Sequence, residues 1–328
     1  VVGLLRRRPV SRITAADGRT GVPLILVGRC SPKPKAATFP YAGPLGFAPP
    51  LADVWAEWDP SQPLGCRFDG HMAPEDAIAL GATPVVWFPR TLAGNGGKLP
   101  TDDQVRGLAQ SFDQRFRGVL GQPLLFILRF VEWNTWTYLP ASQQGEIAAL
   151  AQHYIDLMRE TLPPDRMIVS WDVYPTPTQS AAKLLAMVPH GAQLCGLDLY
   201  QIGQLDPTTP EGAAAHGFAV GCGRPVATFE CGIFPRSKAG DPPSDPVLHA
   251  KLLLKWWLDH KVMLACICSA DFTGKVGMDW GDGTLEHMPA ALAVLKDGLV
   301  KLGAVHGPLQ FGGASEAAAK LTGTAVAA

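Results

Sequence analysis

Eight near-continuous apolar runs, spaced along the whole chain, constrain its fold more than any other feature. They lie at residues 23–29 (PLILVGR), 51–58 (LADVWAEW), 83–89 (TPVVWFP), 123–131 (PLLFILRFV), 167–174 (MIVSWDVY), 194–200 (LCGLDLY), 225–230 (PVATFE) and 263–272 (MLACICSADF). Runs of this length with little polar alternation read as parallel strands covered on both faces. Between them the period changes from strand-like to helical. In 102–120, Val105, Leu108, Phe112 and Phe116 recur at steps of 3, 4 and 4, with Thr101 as candidate N-cap. In 142–162, Ile147, Leu150, Tyr154 and Met158 do the same, and helices are also expected over 180–188, 245–260 and 289–303. A short helix is expected at 74–81 and a long loop at 31–50.

Repeated strand–helix units leave two architectures, a closed (β/α)8 barrel and an open doubly wound sheet. The chain has no GxGxxG and no GxxxxGK[ST] phosphate loop. Eight strands without such a loop favour an α/β (β/α)8 TIM barrel, a single catalytic domain over 21–305. Residues 1–20 read as an N-terminal segment and 306–328 as a small-residue tail or linker. A length of 328 residues suits a barrel with insertions.

Composition narrows the function classes. Apolar residues are 47% and charged residues 17%, which argues for a packed body rather than disorder. A net charge of -1 with no basic stripe argues against nucleic acid or an anionic membrane as partner. No run reaches the roughly 18 to 20 apolar residues of a membrane span. The stretch VVGLLRRRPV is too short in its apolar part to read as a secretory signal, yet an extracellular, surface or virion-associated location is expected. The seven cysteines form no CxxC pair and read as buried thiols, with Cys266 and Cys268 on one face of a strand. The eight histidines show no HxH or HExxH spacing, so neither a metal nor a cofactor is expected.

In a (β/α)8 barrel, the site forms at the C-terminal ends of the strands. Two glutamates sit there, Glu132 after LLFILRFV and Glu230 at the end of PVATF. Paired carboxylates across a barrel mouth are the equipment of glycoside hydrolysis. Aromatic and polar side chains cluster at the same ends, as sugar faces and hydroxyl rims demand: Trp87, Arg129, Asn134, Trp136, Trp171, Asp198, Tyr200, Asp271 and Phe272. Against this stand plainer readings. A Trp is also a good core filler, Glu132 also fits a rim salt bridge with Arg129, and Asp198 also fits a structural role beside a loop.

The stretch LRFVEWNTWTYLP resembles the acid/base segment of glycoside hydrolase family 26, with Arg129, Glu132, Asn134 and Trp136 at matching places. GLDLYQIG, carrying Asp198 and Tyr200, resembles the family's sixth-strand segment, and PVATFECG its nucleophile segment. The resemblance spans about 80–300. It implies a retaining, endo-acting hydrolase of a β-linked polysaccharide, with Glu132 as general acid/base and Glu230 as nucleophile. It further implies Tyr200 and Arg129 as groups that hold Glu230, and Asn134 as a sugar contact. The family's His before the acid/base is Val131 here, Cys231 follows the nucleophile, and Phe272 stands where a Trp is common. Mannan, mixed-linkage glucan and xylan all remain open as substrate. A non-catalytic glycan-binding or structural barrel, joined to a larger assembly such as a virion tail through its termini, is the alternative.

Overall fold

A computed structural model describes residues 83–88, 99–117, 121, 123–135, 146–236, 241–262, 264–269, 272–274 and 279–302, and the backbone of four short strands within 26–67. The strands are β1 (Leu26–Cys30), β2 (Leu51–Val54), β3 (Glu57–Trp58), β4 (Cys66–Arg67), β5 (Thr83–Trp87), β6 (Phe126–Val131), β7 (Met167–Val173), β8 (Leu194–Leu199), β9 (Val226–Gly232) and β10 (Leu264–Cys268). The helices are α1 (Asp102–Arg115), α2 (Ile147–Arg159), α3 (Ala181–Ala186), α4 (Pro210–Gly221), α5 (Pro246–Asp259) and α6 (Pro289–Lys301). Strands β5 to β10 form a six-stranded parallel half-barrel in chain order, with a helix after each strand. The short strands β1 and β2 pair with each other and with β10 and β5, so the order of paired strands closes on itself. The expected helix at 74–81, the loop at 31–50 and the segments 1–20 and 306–328 lie outside the described residues.

Two faces of the sheet are filled differently. The outward residues Val86, Phe88, Leu128, Phe130, Val169, Trp171 and Leu197 pack against the helices in one large buried cluster. The alternate residues Val85, Ile127, Ile168, Leu194, Ala227, Phe229, Leu264 and Cys266 point inward and plug the barrel from below. Both faces being apolar, the strands read as unbroken runs. Cys266 and Cys268 do share the inner face, and the five cysteines with described side chains are buried.

Helix starts follow their chemistry. Thr101 and Gln104 cap α1 reciprocally, with Thr101 Oγ1 accepting from the Gln104 amide at 3.4 Å and Gln104 Oε1 accepting from the Thr101 amide at 2.8 Å. Helix α4 is an element that the hydrophobic pattern does not reveal. Its sequence, PEGAAAHGFAVG, is small and even-sided, but the cap Thr209 followed by Pro210 marks its start. Gly212 belongs there because a Cβ would collide with the Asp206 carbonyl. The expected strand at 51–58 carries two, β2 and β3, and β4, which pairs antiparallel with β3, is additional to the expected elements.

Candidate active site

The barrel axis changes character one layer above the apolar plug. Arg129 points inward from β6, one step above Ile127, and its side chain has no solvent exposure. Strand β7 supplies Ser170 and Asp172, β8 supplies Asp198, and β9 supplies Glu230, all buried. Arg129 Nε donates to Asp172 Oδ2, Nη2 donates to Asp198 Oδ1 at 2.9 Å, and Nη1 donates to Glu230 Oε1 at 3.0 Å. Ser170 Oγ donates to the second Asp172 oxygen, and Tyr200 Oη donates to Glu230 Oε2. The guanidinium also lies over the rings of Phe229 (5.1 Å) and Trp87 (5.6 Å). One cation thus meets three carboxyls in a buried layer, where breaking a pair leaves a buried charge at a cost.

A local irregularity in β9 turns Glu230 inward. Against β8, Gly196 pairs with Ala227 and Asp198 with Glu230, so two steps on β8 match three on β9. Against β10 the same mismatch recurs, with Ala265 opposite Thr228 and Ile267 opposite Cys231. One extra residue therefore sits in β9 at Phe229–Glu230, a bulge. Strict alternation would put these two on opposite faces. The bulge lets Phe229 join the plug while Glu230 reaches Arg129.

Electrostatics separate the three carboxyls. Burial, and then the charge of Glu230, push Asp198 well above the usual carboxylate range, with Arg129 opposing. Burial also raises Asp172, but Arg129 and the Ser170 hydroxyl oppose it. Asp198 Oδ2 is buried without a hydrogen-bond partner among the described residues. Asp198 is accordingly the carboxyl that best holds a proton. Glu230 accepts from a guanidinium and a phenol, the bonding pattern of an anion.

Glu132 borders the same mouth. It follows β6 with φ 53, a left-handed backbone uncommon for a residue with a side chain. Its amide bonds the Asp172 carbonyl at 3.0 Å, and its carbonyl accepts from Thr135. Its side chain is half-buried, and its charge acts on both Asp198 and the Tyr174 phenol, which burial pushes up. Above the Arg129 layer, Tyr200, Phe234, Tyr174, Phe272 and Trp280 form an aromatic wall with Cys268. Tyr200 and Trp280 rings are 5.0 Å apart and Phe272 and Trp280 rings 5.4 Å.

Several expected contacts are corrected by these positions. Trp171 is fully buried on the outer face of β7 against Trp133 and Phe130, so it is a core residue and not a sugar platform. Asn134 donates to the Tyr174 carbonyl (2.8 Å) and to Gln179 Oε1 (2.7 Å) and accepts from the Tyr174 amide (3.1 Å). Its amide group ties the β6 and β7 loops together and has no hydrogen left for a sugar. Arg129 and Asp198 are fully buried beneath the mouth, where they hold Glu230 and Arg129 rather than touch a ligand. Trp87 and Phe272 are half-buried at the mouth. Trp136 and Asp271 lie outside the described residues. Trp280 and Tyr174 are half-buried mouth residues beyond the expected set, and Phe234 is buried among them. Trp280 carries no strand-end signal, because its loop follows β10 by a dozen residues.

No protein-family model matches the chain, and no curated protein matches it. Solved structures do. The catalytic domain of a GH26 endo-β-1,4-mannanase from Bacillus sp. JAMB-750 superposes with a TM-score of 0.58 at 14% identity, over 86% of this chain and 87% of that one. A modular endo-β-1,4-mannanase from Cellulomonas fimi gives 0.59 at 14% identity, over 93% and 75%. GH26C from a Muricauda species gives 0.57 at 14% identity, over 88% of each. In fold, therefore, this chain is similar to the glycoside hydrolase family 26 endo-β-1,4-mannanases.

Proposed function

We propose that the chain is a retaining glycoside hydrolase, a complete (β/α)8 barrel that cleaves a β-linked polysaccharide within its length. The observation that carries this reading is Glu230. It is presented by the β9 bulge, gripped by Arg129 and Tyr200, and set at the mouth that Glu132 borders. Glu230 is the nucleophile. Its two donors leave an anionic oxygen aimed at the anomeric carbon of a sugar lying on the aromatic wall. Glu132 is the acid that protonates the departing oxygen and the base that then activates water. Tyr174, Phe272 and Trp280, the half-buried members of the wall, stack the apolar sugar faces over the buried Tyr200 and Phe234, and Trp87 closes the other side. The similarity in fold to mannanases makes β-mannan the first polymer to try. Mixed-linkage β-glucan and xylan stay in the panel because Val131 removes a polar contact and Phe272 changes the platform.

The test is release of reducing ends from β-mannan, mixed-linkage β-glucan and xylan by the wild type and by Glu230→Gln. The wild type is expected to release them from at least one polymer. Glu230→Gln is expected to be at least about 1,000-fold slower, the scale of losing a covalent route. A variant as active as the wild type would remove Glu230 from the chemistry.

A further inference from the structure

Beneath Glu230 and Glu132 lies a carboxylate with no reach to a ligand. Asp172 has no exposed side-chain surface and sits one layer below the aromatic wall. Both of its oxygens are committed, one to Arg129 Nε and the other to Ser170 Oγ from the same inward face of β7. Its neighbours leave it space in an unusual way. On β6 its partner is Val131 and on β8 its partner is Gly196. A Cβ at Gly196 would overlap the Asp172 carboxylate, so only glycine at this inward position clears room for it.

Arg129 has three contacts that matter, one on each guanidinium nitrogen. Those on Nη1 and Nη2 go to Glu230 and Asp198. The contact on Nε is the one nearest the chain, and it sets the rotation of the whole guanidinium plane. A rotated plane carries Nη1 away from Glu230. Resting on the hydrolase reading above, we infer that Asp172 is a positioning residue: with Ser170 and the clearance at Gly196, it fixes the plane of Arg129 and through it the direction of the Glu230 carboxylate. Asp172 contacts no reacting atom. Its charge is secondary to its geometry, because what it supplies is an acceptor at a fixed point.

That distinction gives the test. Asp172→Asn and Asp172→Leu have similar volume and no charge, but only Asn can accept from Arg129 Nε. On the polymer that the wild type hydrolyses, the Asn variant is expected to keep kcat within about tenfold. The Leu variant is expected to lose about 100-fold, the scale of a small misplacement at the reacting centre. KM stays within about twofold in both. Equal kcat for Asn and Leu reduces Asp172 to a space-filler and overturns the inference. Nitrogen-15 NMR of the Arg129 Nε–H gives a readout without catalysis. It should be protected from exchange in the wild type and in Asp172→Asn and exposed in Asp172→Leu. Should the Leu variant fail to fold, Ser170→Ala takes its place, with a several-fold fall in kcat at unchanged KM expected and an unchanged kcat counting against. A wild type inactive on every polymer removes the hydrolase reading, while an Nε–H equally protected in the wild type and the Leu variant removes this one.

Discussion

Asp198 shows how much a single buried proton decides. Its carboxyl receives one hydrogen bond from Arg129, its other oxygen has no partner among the described residues, and Glu230 stands beside it. With its pKa raised in the folded state, the stability that Asp198 contributes is complete below the unfolded value of about 3.9 and is lost as pH rises through the folded value. Asp198→Asn keeps the shape and cannot ionise. The melting temperature of the Asn variant relative to wild type should therefore climb as pH rises from about 4. A difference that falls over that range would mean that Asp198 is ionised and stabilised by Arg129. The residue types of this layer were legible in the sequence, and the resemblance also implied the hold of Arg129 and Tyr200 on Glu230, but the links from Arg129 to Asp172 and Asp198 were not legible. Arg129 stands inside an apolar run, two positions before the strand's end, and that place alone marks it as buried. Trp171 could have been excluded as a sugar platform by parity, since it alternates with the inward Ser170 and Asp172. Asn134 carries no such signal, because its partners come from a loop about 40 residues away.

At the scale of elements, strand ends do the positioning. Glu132 adopts φ 53 where β6 turns away, at a cost that a glycine would not carry. Glu132→Gly is expected to raise stability by about 1 kcal/mol while abolishing hydrolysis. Thermal melts and reducing-end assays on the same preparation check both halves, and a less stable Gly variant would mean that the backbone there is not strained. The β9 bulge is the second device. Apolar runs revealed where β9 lies, but the bulge is a count of pairing partners and cannot be seen in one strand's sequence. Strands and amphipathic helices were legible because their period is set by burial on fixed faces. Helix α4 was not, because alanine and glycine leave no apolar stripe; only its Thr209–Pro210 start speaks for it. Trp280 joined the mouth through a loop whose path no local pattern encodes.

At the scale of the whole molecule, the same barrel that shields the site makes it sensitive to acid. His249 on α5 is fully buried, and burial lowers its pKa to about 4. The unfolded chain takes up that proton near pH 6.5 and the native one does not, so stability is complete above about 6.5 and lost as pH falls toward 4, by about 3 kcal/mol in all. His249→Leu should flatten the fall in melting temperature between pH 7 and pH 4. A variant that falls as steeply as wild type would assign the acid loss to other groups. The central claim concerns chemistry rather than stability, and it makes one stereochemical commitment. A nucleophilic Glu230 followed by attack of water through Glu132 displaces the anomeric centre twice and returns the β-configuration. Proton NMR of the first sugars released from the hydrolysed polymer should show the β-anomer before mutarotation. An initial α-anomer would contradict the assignment of Glu230 as nucleophile.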